Sequence, residues 1–286
     1  MNSIRCYYFY LLRKHFLSWR MLAVSILTVL TMDTFLAPLR IYSREQNVKM
    51  SQWGFALIWH NKYVGLCFML IFIFAAAIFP EDRKGDCYII SRIGISKWVA
   101  GQSLYLLTFG WIYTLFLFLI QNMLLCNVME FASEWGKGWA TLSNDNVILH
   151  YKIYTTVPFL VVCNYDPLRA NVLVAIILGL LLGMMGMLIF WLNFYSKTAG
   201  PLAASALVFM SLAAAKNSSL LKYSPTSWIS LNGHYSITNT DQPTLTYMIG
   251  QLLLWTILFF LLSKLRAGRT QENNRRNRKW KKISWK

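Results

Sequence analysis

The sequence predicts an all-α polytopic membrane protein with six transmembrane helices, an N-terminal interfacial helix and a short cytoplasmic helix between spans two and three. Three observations carry that reading. Of the 286 residues, 56% are hydrophobic and only 14% charged, whereas a soluble domain carries about a quarter charged residues. Apolar windows close to the roughly 20 residues that a helix needs to cross a bilayer recur at 21–38, 63–79, 99–125, 172–192, 201–215 and 247–262. With both termini placed in the cytoplasm, nineteen of the 28 Lys and Arg residues fall on the inner side, which is the positive-inside pattern of a cell-membrane protein. The formal charge of +17 therefore reads as a topology signal, and no nucleic-acid partner is expected.

Within residues 1–20, the stretch from Ile4 to Trp19 is rich in Tyr and Phe and is interrupted by Arg13 and Lys14. Aromatic rings with basic side chains suit the water–lipid boundary, so this stretch is expected to lie along it. Its basic residues are scattered rather than grouped ahead of an apolar core, so the first span is expected to be retained as a helix. That span carries Asp33 near its outer end, where Arg40 or water can partner the carboxylate.

The transmembrane domain is expected over 21–263, with outer segments at 39–62, 126–171 and 216–246. Within 126–171, the apolar run 153–165 is too short to cross and is broken by Pro158, which predicts a re-entrant or interfacial piece. The fourth span holds Gly179 and Gly183 four residues apart, with Gly186 one turn on. Small residues at that spacing let helix backbones approach, so these three are the candidate helix-packing residues. The tail 264–286 is strongly basic, with Trp280 and Trp285, and is expected to bind anionic lipids of the inner leaflet.

Reaction centres are missing from the sequence. The histidines at 15, 60, 150 and 234 have no metal-ligand spacing, and no H-E-x-x-H or G-x-S-x-G pattern occurs. The only Gly-Lys pair, Gly136-Lys137, is followed by glycine, so no phosphate-cradling loop is present and the chain is not expected to bind ATP or to act alone as an enzyme. No metal, no cofactor and no catalytic residue is assigned, and the substrate site is not legible. Of five cysteines, only Cys126 and Cys163 fall on the outer side, as a disulfide or, the expected state, as two thiols.

One polar interruption stands out, at 79–102. Pro80 ends span two, Gly85-Asp86 offers a turn and an N-cap, and Ile89, Ile90 and Ile93 share one helical face until Gly94. Such a helix either lies on the membrane or docks into a soluble partner. Glu81, Gly85, Ile89, Ile90, Gly94, Ile95, Ser96, Lys97 and Gly101 resemble the cytoplasmic loop of type-2 ABC permeases, the membrane subunits of ATP-driven exporters. The sequence departs from that pattern at Arg83 and Tyr88, where acids are usual, at Asp86 for threonine, and in the closer spacing of Lys97 to Gly101.

The resemblance implies that 85–95 is a coupling helix, with Glu81, Gly85, Asp86, Ile89, Ile90, Ile93, Gly94 and Lys97 as ATPase-coupling residues. It implies a separate ATP-binding subunit carrying Mg-ATP and a second permease, the same or a homologous chain. The expected function is export of a peptide, lipid or amphiphilic drug. The alternative is a six-span membrane binding or immunity protein acting without ATP.

Overall fold

The computed structural model describes residues 2–80, 86–142, 150–151, 153–155, 157–214, 218–231 and 243–283. Helix α1 (Asn2–Phe16) leads into α2 (Trp19–Glu45), which Ser18 caps by accepting from Met21 N–H. The short α3 (Phe55–Ile58) precedes α4 (Lys62–Ala76), α5 (Asp86–Ile93) and α6 (Ile95–Leu125). Two short helices, α7 (Gly136–Thr141) and α8 (Phe159–Asn164), precede α9 (Pro167–Leu192). The chain closes with α10 (Ala199–Ala214) and α11 (Leu245–Ile283). A two-residue parallel ladder pairs β1 (Met50–Ser51) with β2 (Met129–Glu130).

Among the described residues, four helices are long and apolar enough to cross a membrane, ending at Glu45, Val128, Leu192 and Arg269. The molecule is therefore a helical, membrane-embedded protein. The second and fifth expected spans form shorter apolar helices, Lys62–Ala76 and Ala199–Ala214. At about 1.5 Å per residue each covers some 23 Å, short of the roughly 30 Å hydrocarbon layer.

Several boundaries differ from the sequence expectation. Helix α2 does not stop at Pro38 but runs through it to Glu45. Proline forfeits one hydrogen bond, yet unwinding the helix in lipid would strand several. Asp33 and Arg40, 2.5 Å apart, form an ion pair two turns along the same helix. The tail continues the last helix to Ile283, because Arg, Lys, Gln and Glu are good helix formers and no proline interrupts them. Pro158 caps α8 rather than merely breaking the run. Cys126 and Cys163 are free.

The core is organised on α6 and α9. Alanine in place of Gly110 would set its Cβ 2.8 Å from the backbone nitrogen of Gly183 and 3.2 Å from the carbonyl oxygen of Gly179. The two backbones thus touch, as small residues on packed membrane helices allow. A Cβ at Gly179 would meet the Trp111 ring at 2.8 Å, whereas one at Gly186 would meet Leu106 at an ordinary 3.4 Å. Thr28 of α2 and Tyr113 of α6, both buried, lie with their hydroxyls 3.1 Å apart, and Tyr113 also reaches the Phe68 carbonyl of α4 at 3.4 Å. Three helices meet at that polar point.

Candidate functional site

Helix α1 is not merely laid beside the bundle. Tyr7 and Leu11 are buried, Gln102 donates to the Tyr7 hydroxyl at 3.1 Å, and Tyr8 donates to Thr108 Oγ1 at 3.2 Å. The absent side chain of Gly101 makes room for the Tyr7 ring, which a Cβ there would meet at 2.5 Å. Since Gln102 and Thr108 both belong to α6, α1 is fastened to the helix that α5 leads into.

Helix α5 is bounded at its far end by Gly94, whose N–H donates to the Ile90 carbonyl at 2.9 Å. Gly94 sits at φ 82°, ψ 150°, a conformation that side chains with a Cβ rarely adopt. The next residue already belongs to α6, and Trp98 N–H returns to the Gly94 carbonyl at 3.1 Å. One glycine therefore turns the chain from the short helix into the long one.

The expected coupling residues separate into three groups. Glu81 and Gly85 lie outside the described residues, and Asp86 opens α5. Ile89, Ile90 and Ile93 are half-buried and pack on the molecule's own core. Tyr88, Ser91 and Arg92 are exposed, with Tyr88 83% accessible. Lys97 is exposed in the first turn of α6. The isoleucine face therefore seats the helix, and the outward face, which the sequence reasoning did not single out, is Tyr88, Ser91 and Arg92. Their spacing of three and four would have identified the face, but not which side the protein itself covers. The helix is also shorter than 85–95, since Gly94 breaks it and Ile95 is part of α6.

Two asparagines missed in the sequence hold α9 at its ends. Near the start, buried Asn171 accepts from Ala56 N–H at 3.0 Å and donates to the carbonyls of Trp53 and Pro167, both at 2.7 Å. At the finish, Asn193 donates to the carbonyls of Ala77 and Phe79, at 3.2 and 2.6 Å, and accepts from Gly200 N–H at 3.0 Å. Amides are suited to this because each offers two donors and an acceptor. Their signal in the sequence is a single asparagine on each flank of the unbroken apolar run 172–192.

The end opposite α5 is closed by indole donors. Trp139, fully buried, donates to the Ser51 carbonyl at 3.0 Å, Trp135 to Tyr165 at 2.9 Å, and Trp53 to Ala132 at 2.7 Å. Gly54 lies against the Trp139 ring, 2.1 Å from where its Cβ would stand. His60, beside this layer, places Nδ1 2.6 Å from Ser230 Oγ. Burial first, and the Lys62 charge second, lower its pKa to about 4, so the ring is neutral near pH 7.

Among the described residues, no group of three His, Cys, Asp or Glu side chains is placed to hold a metal ion. Comparison with known protein families, with curated proteins and with solved structures found no match.

Proposed function

We propose that the chain is the permease subunit of an ATP-driven exporter of the type-2 ABC class. In this reading it has six membrane-spanning helices, with both termini in the cytoplasm, and α5 is the coupling helix. It works with a second permease and with separate ATP-binding subunits that carry Mg-ATP. The cargo class is a peptide, a lipid or an amphiphilic drug, and the basic tail adds contact with anionic lipids.

The observation that carries the reading is the mechanical connection of α5. Its isoleucine face is seated on the core, its Tyr88/Ser91/Arg92 face is open, and Gly94 joins it directly to α6. That helix in turn touches α9 backbone to backbone at Gly110. A push on the exposed face of α5 would be passed to the centre of the bundle through rigid helices, which is what coupling requires. The second span's shortness is no obstacle, since a bilayer thins locally and flanking residues adjust to a short helix.

The test is ATPase activity recovered with tagged full-length chain from native membranes. Activity is expected with the wild type and is expected to be lost with Tyr88→Ala/Arg92→Glu, which leaves the isoleucine seat intact. If the wild-type chain brings no ATPase activity, the exporter reading is overturned in favour of a six-span binding or immunity protein that works without ATP.

A further inference from the structure

Buried polar side chains in folded proteins almost always find a hydrogen-bond partner. At the end opposite α5, four side chains depart from that rule. Ser51 and Gln121 are 1% and 0% exposed, and neither Ser51 Oγ nor either amide atom of Gln121 has a partner among the described residues. The oxygens Gln52 Oε1 and Asn122 Oδ1 are buried and unpartnered in the same way.

These residues share one strip of the fold. Ser51 stands opposite Glu130 in the β1–β2 ladder, and Phe55 meets Phe118 edge-on with ring centroids 5.5 Å apart. Between those two contacts the chain carries Ser51 and Gln52 on one side and Gln121 and Asn122 on the other. Residues 118, 121, 122 and 125 recur at three and four along α6, so Gln121 and Asn122 lie on the face that Phe118 turns toward α3. The start of α9 adjoins the same strip, where Asn171 holds Ala56 N–H and the Trp53 carbonyl with its own amide atoms fully engaged.

The chemistry of the set is lopsided. It offers four oxygens, three of them amide carbonyls that only accept, against two donor groups, the Ser51 hydroxyl and the Gln121 amide nitrogen. Oxygens without donors suit a hard cation, whose hydration shell such oxygens replace as carbonyls do in channel filters. No carboxylate belongs to the set, since Glu130 is exposed. Calcium and magnesium sites add carboxylates, so a neutral set fits a single positive charge. We propose that Ser51 Oγ, Gln52 Oε1, Gln121 Oε1 and Asn122 Oδ1 bind an alkali-metal cation. A water completing the ion's coordination accepts from Gln121 Nε2, which gives the surplus donor its partner. The site is independent of the exporter reading, because its occupation needs neither ATP nor cargo.

The test uses purified full-length chain in detergent, with thermal unfolding midpoints measured in sodium chloride and in choline chloride at equal ionic strength. Choline carries the same charge but is too bulky to sit among the four oxygens. Sodium is expected to raise the midpoint saturably, and the sodium magnetic-resonance line is expected to broaden on binding. Gln121→Leu and Asn122→Leu should each lose both responses. Gln121→Leu should lose them while unfolding at a higher temperature than the wild type in choline, which separates loss of the ion from damage to the fold. Ser103→Ala removes a buried unpartnered hydroxyl near the other end of α6 and should keep the full sodium response. Equal midpoints in sodium and choline would mean that water alone fills the site, and would overturn the proposal. A sodium response that survives both leucine variants, or that Ser103→Ala also abolishes, would overturn the assignment to these four residues.

Discussion

Replacing Gly110 by alanine puts a methyl group into the α6–α9 seam, where it has nowhere to go. The neighbouring atoms are the backbone nitrogen of Gly183 at 2.8 Å and the backbone oxygen of Gly179 at 3.2 Å, so no rotamer change relieves the clash. Restoring an ordinary contact of about 3.5 Å requires the helices to part by some 0.7 Å. A gap of that size forfeits a quarter to a half of each dispersion contact along the seam, and in lipid such packing is the main force between helices. Overpacking typically costs about 1–3 kcal/mol, and alanine returns somewhat under 1 kcal/mol of helix propensity. The expected net loss is about 1–2 kcal/mol.

Gly186→Ala is the internal control, because its new Cβ meets Leu106 at 3.4 Å, and it is expected to be neutral or slightly stabilising. The assay is unfolding of the purified chain in mixed detergent with increasing sodium dodecyl sulfate, followed by tryptophan fluorescence. Equal midpoints for the two variants would refute the close approach of α6 and α9.

Other expectations follow from the same contacts. Asn171→Ala leaves the buried Ala56 N–H and two carbonyls without their partner and should cost about 2–3 kcal/mol, read as a lowered unfolding midpoint; Asn171→Asp, which keeps the acceptor but loses the donors, should not rescue it. Gly94→Ala meets no neighbour within 4 Å, so its whole effect is backbone strain of about 1–3 kcal/mol at φ 82°, and it should raise proteolysis near residue 94 before it alters the bundle. His60 binds its proton only near pH 4 when folded and near 6.5 when unfolded. Its contribution is therefore fully present above pH 6.5 and is lost as pH falls from there toward 4, by about 3 kcal/mol at most. His60→Asn should flatten stability over that window in a pH series of melts. Gln121 is fully buried with both amide atoms unpartnered among the described residues, so Gln121→Leu should raise the unfolding midpoint.

Much of the helical layout is legible in the apolar runs. The contact of α6 with α9 is legible on one side, since Gly179 and Gly183 are spaced for close packing, although their partner Gly110 is not evident from spacing alone. Less legible is how each run ends. Pro38 reads as a stop because it lacks an N–H, yet the surrounding hydrocarbon makes one missing bond cheaper than an unwound turn. The amphipathic pattern of α5 defines its two faces but not which is covered, because the residues that cover it come from elsewhere in the chain. The asparagine clamps escape for a similar reason. Asn171 reaches a residue 115 positions earlier, and no local period encodes that separation.

The clamps on α9 also set a timetable for synthesis. Ala56 N–H and the carbonyls of Trp53, Ala77 and Phe79 take their amide partners from Asn171 and Asn193. At roughly 5–20 residues per second, the 115 positions between Ala56 and Asn171 take about 6–23 s to translate. For that interval the earlier helices must wait in the bilayer with these groups unclamped, exposed to quality-control proteases. A nascent chain arrested before residue 171 should be degraded quickly, and one arrested beyond residue 200 should survive.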